Sequence, residues 1–540
     1  MSGVMMAVSW PYSGSMTPLI FVAIVPLLLI EEELYKENRN GLWVIVKYVY
    51  PAFFFFNLFT TWWIYNVQEP ISTKLMAAVP AIVLNATFMA IAFGLFHITR
   101  MRIGSKEGYI GLVMYWIGWE HLHLNWELSW PWLTFGNIFA DHPDWVQWYE
   151  FTGVLGGSLW ILLINLGVFS FFKQFINEKF NWKRAIGFVI VGFVPLFIWS
   201  FILKQKEEPS DKSIEIVLVQ PNIDPYNEKF EYGKAKEQLL TMLELAKEKI
   251  TPETKLILFP ETALQERTTL SLNGDQLVMV GLWENNIEAS MSVRIIREFL
   301  EDYPNLSMII GLSSDRLQDK DEAIIPASRH IKSLDVYYQA YNAALFIAKD
   351  KKVELYHKSE LVPAVEFMPL EWLLKPLADV SLDFGGTTGT LGTQENQDPF
   401  FFSEDSIGVS PAICYESIYG HSANEFVRNG ASILGIITND GWWGDSPGYK
   451  QHLSLARLRA IETRKWVTRA ANTGISAFIN PKGEIVQRSG WWVPSVLKQE
   501  VSINNRMTFY VTYGAYIGRT AAFMAVLLLV YTMVRYIKRD

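Results

Sequence analysis

Three strand-like runs in this 540-residue chain each end on a reactive side chain of a different kind. Lys255-Leu256-Ile257-Leu258-Phe259-Pro260 delivers the carboxylate of Glu261, and Val353-Glu354-Leu355-Tyr356-His357 delivers the ammonium of Lys358. Ser406-Ile407-Gly408-Val409, followed by Ser410-Pro411-Ala412-Ile413, delivers the thiol of Cys414. In α/β sheets ligands bind beyond the carboxyl ends of strands, so three such ends could place these groups around one point. The set is complete for acyl transfer. A thiol with a pKa near 8.5 is only a few per cent thiolate at neutral pH, and a nearby base and positive charge raise its usefulness. Glu261 can take the proton and later return it to a leaving group. Lys358 favours the thiolate and can donate to the oxyanion of a tetrahedral intermediate, as can the backbone N–H of Tyr415. Losing one such donor costs on the order of 3 kcal/mol of barrier.

Cys414 is the only cysteine, so it forms no internal disulfide, and structural metal cages draw on several cysteines or clustered histidines. On position alone it reads as buried filler or as a nucleophile, and its joint appearance with Glu261 and Lys358 favours the second. His121 and His123 form a lone His-x-His in an aromatic stretch and read as polar edging. Gly385-Gly386-Thr387-Thr388-Gly389 lacks the Gly-Lys-Ser/Thr ending of a phosphate loop and reads as a flexible connection. No metal and no cofactor is expected.

The elements that must position these groups fall into two parts. Half of the chain is hydrophobic and 19% is charged, below the roughly 25% of soluble domains. The apolar character is concentrated before about residue 205 and after about 507. A bilayer needs about 20 apolar residues per helix. Candidate spans are Thr17 to Ile30, Leu42 to Tyr65, Leu75 to Ile98, Gly108 to Trp119, Thr152 to Phe172, Ala185 to Leu203 and Tyr513 to Ile537; Met1 to Trp10 reads as half a span ending at Pro11. Lys and Arg cluster in alternate loops (Lys36 and Arg39; Arg100, Arg102 and Lys106; Lys173, Lys179, Lys183 and Arg184; Arg535, Lys538 and Arg539), whereas Glu120 to Phe151 has neither. The positive-inside rule puts the basic loops in the cytoplasm and the soluble part on the opposite side. Trp116, Trp119, Trp126, Trp130, Trp132, Trp145 and Trp148 read as an interfacial belt. The apolar spans hold few ionisable groups, which argues against transport. A net charge of −8 without a basic stripe argues against a nucleic-acid partner.

Between the apolar parts, a charged linker (Lys204 to Lys212) leads into strands expected at Glu215–Val219, Lys255–Phe259, Ser307–Gly311, Ala343–Ala348, Val353–Tyr356, Ser406–Ser410, Ser432–Thr438 and Ile475–Ile479, with helices at Lys234–Lys249, Ser292–Asp302 and His452–Thr468. Continuous apolar strands alternating with helices indicate an α/β domain whose sheets are covered by helices. The expected organisation is a helical bundle over 1–205, a catalytic domain over 206–505 and a final membrane helix over 506–540.

Phe-Pro-Glu261-Thr, Tyr-His-Lys358-Ser-Glu-Leu-Val-Pro and Ile-Cys414-Tyr-Glu resemble the Glu-Lys-Cys triad of the nitrilase superfamily. With the apolar helices, the chain is similar over almost its full length to the apolipoprotein N-acyltransferase family. Ser129-Trp130-Pro131-Trp132-Leu133, Val219-Gln220-Pro221-Asn222-Ile223, Thr438-Asn439-Asp440-Gly441-Trp442-Trp443-Gly444-Asp445 and Ala471-Asn472-Thr473-Gly474-Ile475-Ser476 carry the likeness. The resemblance implies a membrane α-helical bundle plus an αββα sandwich domain. It implies a phospholipid acyl donor, a Cys414 thioester, a diacylglyceryl apolipoprotein whose α-amine is acylated, and residence in the bacterial inner membrane. It also marks Glu366, Tyr415 and Glu416 as functional, Glu366 being a second carboxylate able to hold Lys358 charged and oriented. Phe230 stands near where the family often has Trp, with the spacing one residue different. Leu361 to Leu374, with Phe367 and Met368, reads equally as an entrance lid or as a packed loop, and Trp442 and Trp443 are candidates for excluding water. A membrane-anchored amidase with water as acceptor, or an inactive scaffold, are the competing readings; a bundle exceeds what anchoring needs, and all three reactive residues are present.

Overall fold

The computed structural model describes residues 1–206, 210, 212–272, 275–332, 334–370, 390–402 and 407–537. The chain forms two compact units, one of residues 1–207, 445–462 and 508–540, the other of 208–444 and 463–507.

The first unit is helical. Leu42–Asn66, Ile71–Arg102, Val154–Ile176, Trp182–Gln205 and Tyr516–Arg535 are long and apolar enough to cross a membrane, where a helix satisfies its own backbone polar groups. The expected first span is broken: a turn of 3₁₀ helix at Thr17–Leu19 and a helical turn at Ile20–Ala23 precede a helix at Val25–Lys36. Asn165 bridges the break, accepting from the Ile24 N–H at 2.9 Å and donating to Ile20 O at 2.8 Å, and Pro26 stands in the first turn of the helix that follows, where a missing N–H leaves no bond unmade. The tryptophan belt is corrected in part: Trp119, Trp126, Trp130 and Trp145 are partly exposed, but three of its members are not. Trp116, Trp132 and Trp148 are buried in this unit, and the Trp132 indole finds an internal acceptor in Gln451 Oε1 at 2.8 Å. The helix ends carry a buried ionic network that apolar periodicity does not reveal: Arg100 donates to Glu31 and, at 2.6 Å, to Glu32, which also accepts from Lys173 at 2.6 Å.

The second unit is built on two sheets. Strand β1 (Lys212–Gln220) lies between β9 (Ser495–Ile503), antiparallel along its length, and β2 (Thr254–Leu258), parallel. β2 is parallel to β3 (Ser307–Leu317), which pairs antiparallel with β4 (Val336–Ala348), and β5 (Glu354–His357) pairs antiparallel with β4. In the other sheet β6 (Ile407–Ile413), β7 (Ala431–Thr438) and β8 (Trp466–Ala471) run parallel, flanked by short antiparallel strands. Both faces of the central strands are covered, which is why they read as unbroken apolar runs. Val217, Val219, Ile257, Met308 and Ile310 pack on Leu239, Met242, Val293 and Ile296 of the helices Ala235–Lys247 and Met291–Glu301. The alternate residues Leu218, Leu256 and Leu258 are buried too. Leu258 faces the other sheet, where a Cβ on Gly435 would lie 3.2 Å from its Cδ2. The helix Gly420–Arg428 covers β6 and β7. The unit is therefore a helix–sheet–sheet–helix sandwich.

The helix expected to reach Thr468 stops at Thr463. Arg464 turns the chain with φ of 54°, and the β-branched Val467 and Thr468 belong to β8. Lys465 fixes the break by donating to Asn504 O at 2.7 Å and Arg506 O at 2.9 Å.

Gly311 on β3 lies against the bend that carries Glu261, and a Cβ there would sit 2.6 Å from Glu261 Cα and from Pro260 O. Gly311→Ala is expected to cost about 1–3 kcal/mol, as overpacking against backbone does, and to lower the thermal unfolding midpoint of the purified protein.

Candidate active site

β2 ends at Leu258, and the next residues leave the sheet while still tied to it: the Phe259 N–H donates to Ile309 O at 2.8 Å and the Gly311 N–H to Pro260 O at 3.1 Å. This bend turns the buried Glu261 inward. Its Oε1 accepts from Asn342 Nδ2 at 2.8 Å and its Oε2 from the Asn439 N–H at 2.9 Å. Lys358 follows β5, and its N–H donates to Asn342 O at 2.9 Å. The Lys358 ammonium lies 3.9 Å from Glu261 Oε1 and donates to Glu366 Oε1 at 2.9 Å. Asn342 Nδ2 also reaches Glu366 Oε1 at 3.0 Å, so one amide spans both carboxylates. Glu366 is aimed by its own turn, where its Oε2 accepts from the Val362 N–H at 2.8 Å.

Cys414 comes directly after β6, at the start of a 3₁₀ turn, Cys414–Ile418, with φ of 50°. A left-handed residue is uncommon outside glycine and at a strand end it projects the side chain off the sheet. Ser417 Oγ donates to Cys414 O at 2.6 Å. Glu416, with no exposed surface, locks this turn to the Lys358 segment: it accepts from the Ile413 N–H at 2.9 Å, the Ser359 N–H at 3.2 Å and the Tyr356 hydroxyl. Glu416 thus ties the Cys414 turn to the segment that carries Lys358.

The electrostatics follow from burial. Loss of water pushes the Cys414 thiol well up, reinforced by the Glu261 charge and opposed by Lys358. Burial raises Glu261 as well, against the pull of Lys358. Burial works against the Lys358 ammonium, but Glu366 and Glu261 outweigh it and its pKa rises. The surroundings therefore favour the neutral thiol at Cys414 and the charged ammonium at Lys358. Among the described residues no group of His, Cys, Asp and Glu could hold a metal ion.

The remaining motifs form a clasp behind Glu261. Asn472 Oδ1 accepts from the Ile223 N–H at 3.0 Å, and its Nδ2 donates to Ile223 O at 2.7 Å and Asn439 Oδ1 at 3.1 Å. Gln220 Oε1 accepts from the Ser476 N–H at 3.0 Å and Ser489 Oγ at 2.7 Å. Asp440 and Arg469 form an ion pair with no exposed surface.

Tyr415 is buried, and its ring meets Tyr419 edge-on. Trp442 packs edge-on against Tyr226 at 5.2 Å and stacks on Phe230 at 6.4 Å, so Phe230 does supply an aromatic face there. Trp443 is half-buried. Phe367 packs on Ala340, Leu361 and Leu391 inside the Glu366 turn, and Met368 is partly exposed beside it. The rest of the suggested lid, Trp372 to Leu374, and Gly385 to Gly389 lie outside the described residues. Two site residues escape sequence reasoning. Asn342 sits inside a long apolar strand with no mark of its role, and Lys229 in Asn227-Glu228-Lys229-Phe230 reads as solvated charge, yet is buried behind Glu261.

The carbon-nitrogen hydrolase family profile matches residues 216–506. The chain belongs to that family. The profile of the apolipoprotein N-acyltransferase N-terminal domain matches residues 2–167. The apolipoprotein N-acyltransferase of Chlorobaculum tepidum is 29% identical over 522 residues, 95% of this chain and 92% of that one. Its counterpart from Haemophilus influenzae is 28% identical over 415 residues, 76% and 71% of the two chains. Nit3 of Saccharomyces cerevisiae, in the nitrilase superfamily, is 16% identical and superimposes with a TM-score of 0.37 over 54% of this chain and 91% of its own. The chain is a membrane protein with a nitrilase-like domain.

Asp440→Asn would leave the Arg469 guanidinium buried without its counter-charge. Breaking a buried pair in this way costs about 3–5 kcal/mol, and a matching loss of stability in denaturant is expected; stability equal to wild type would show the pair to be dispensable.

Proposed function

We propose that this protein is an apolipoprotein N-acyltransferase, moving an acyl chain from a phospholipid to the α-amine of a diacylglyceryl-cysteine at a lipoprotein N-terminus. The observation that carries the reading is the convergence of buried Glu261, buried Lys358 and half-buried Cys414, whose charges act on one another. The names of the relatives and the N-terminal profile support the lipid substrates.

In the first step Glu261 takes the Sγ proton and the sulfur attacks the ester carbonyl carbon. The charge that develops on the carbonyl oxygen is met by Lys358 and the Tyr415 N–H. Collapse breaks the C–O bond, and lysophospholipid leaves with the proton from Glu261, so the enzyme holds a thioester. In the second step the acceptor amine attacks the thioester carbon, its proton passes to Glu261, and the C–S bond breaks as the sulfur recovers that proton. The product is an amide. Water must be kept from the thioester between steps, a task we assign to Trp442, Trp443 and the Glu366 turn with Phe367 and Met368. Glu366 keeps Lys358 charged, and Glu416 positions the Cys414 turn.

The proposed organisation is a bundle over 1–205, a catalytic domain over 206–505 and a closing helix over 506–540. The proposed location is the bacterial inner membrane with the catalytic domain on the periplasmic side, supported by the Lys and Arg distribution and the bacterial relatives. An amidase would need one anchoring helix, and five among the described residues are long and apolar enough to span.

The test is acyl transfer from phospholipid to a synthetic diacylglyceryl-cysteine peptide, read by product mass. Wild type is expected to yield the amide, Cys414→Ala none, and Glu261→Gln less by on the order of 100-fold or more, as for loss of a general base. Because burial raises the Glu261 pKa, its basic form is lost as pH falls at a higher pH than for an exposed glutamate near about 4.3, so the acid limb of kcat/KM should lie above that value. Amide formation by Cys414→Ala would overturn the proposal.

A further inference from the structure

Lys229 is 3% exposed and lies behind the general base. Its own N–H donates to Asp224 O at 2.8 Å, which closes the loop and turns the side chain inward. The ammonium donates to Glu261 O at 2.9 Å and to Thr262 Oγ1 at 2.6 Å. Thr262 has φ of 46°, an unfavourable conformation for a β-branched residue that persists only where the surroundings hold it. Lys229 grips both sides of the strained peptide that aims Glu261. Its charge also completes a balance. Glu261 and Glu366 bring two negative charges into the site, Lys358 returns one positive charge, and Lys229 supplies the second. The charged and titratable groups acting on Lys229 are Glu261 and Cys414.

We infer that Lys229 is a positioning residue for the reaction: it clamps the Glu261–Thr262 bend and offsets the negative charge that would otherwise oppose formation of the Cys414 thiolate. Its ammonium hydrogen-bonds the Glu261 carbonyl and the Thr262 hydroxyl. Burial pulls its pKa down to about 8, against the opposing charges of Glu261 and Cys414. Cys414 and Lys358 are both displaced upward, so Lys229 is the group of this cluster that loses its charge in mildly alkaline solution. Its role as an electrostatic partner consequently fades as pH rises through that value.

The inference rests on the acyl-transfer reading, but a readout independent of it exists, because Cys414 is the only cysteine. Alkylation of the full-length protein by iodoacetamide, followed by intact mass across roughly pH 6 to 10, reports the Cys414 thiolate alone. In Lys229→Gln and Lys229→Met the profile is expected to move to higher pH, and a displacement of about one pH unit would lower the alkylation rate at neutral pH about tenfold. The rate of thioester formation from phospholipid should fall in both variants with KM for the lipid unchanged. In wild type that rate should decline above about pH 8, a limb absent from Lys229→Gln. If neither variant folds, the wild-type limb alone decides, since a rate that stays level to about pH 10 overturns the inference. Alkylation profiles of folded variants that superimpose on wild type overturn it too. A wild type that shows the alkylation behaviour but never forms a thioester would defeat the acyl-transfer reading instead.

Discussion

A buried ammonium held between a buried carboxylate and a half-buried one is the constraint on which the nitrilase-like unit depends. Lys358 is 2.9 Å from Glu366 and 3.9 Å from Glu261, and taking such charges out of water costs several kcal/mol per ion unless geometry and further hydrogen bonds offset it. The surrounding framework supplies those bonds. Asn342 spans both carboxylates from the middle of β4, the Asn439 N–H meets Glu261 from the end of β7, and the Val362 N–H meets Glu366 from its turn. Each donor comes from a different stretch of chain, so the cluster can be assembled only when both sheets are in register.

The same logic explains motifs that touch no reacting atom. Asn472 joins the Asn222-Ile223 corner to Asn439, and Asn439 holds Glu261. Glu416 joins the Cys414 turn to Tyr356 and Ser359, which flank Lys358. Gly311 is small because the Glu261 bend passes directly over it. A chemistry that needs a thiol, a base and an ammonium in a dry pocket thus demands a second set of buried polar residues whose work is placement. Left-handed residues at Thr262 and Cys414 mark where backbone conformation yields to that demand.

Glu261 and Cys414 are legible in the sequence because each follows a strand that is buried on both faces, and such runs are easily bounded; Lys358 follows the short β5, in which Glu354 is exposed and Tyr356 alone is buried. Strands β2, β5 and β7 fall within a residue or two of expectation. What escapes does so for physical reasons. β9 carries the consecutive polar residues Lys498, Gln499 and Glu500 in its middle as an edge strand on β1, so it lacks the continuous apolar signature. β8 merges with the preceding helix in the sequence pattern because the break at Arg464 is made by distant partners, the carbonyls that Lys465 and Arg464 bind. Trp132 reads as interfacial since its acceptor, Gln451, is 319 residues away. Lys229 carries no signal, for a lysine in a polar segment looks solvated until its carbonyl partner is known.

The central claim is that Cys414 carries the acyl chain as a thioester, and intact mass of the purified protein before and after neutral hydroxylamine tests it most directly. The account predicts an adduct of fatty-acyl mass on wild type incubated with phospholipid, removed by hydroxylamine and missing from Cys414→Ser. An adduct that resists hydroxylamine, or one that persists in Cys414→Ser, would contradict it.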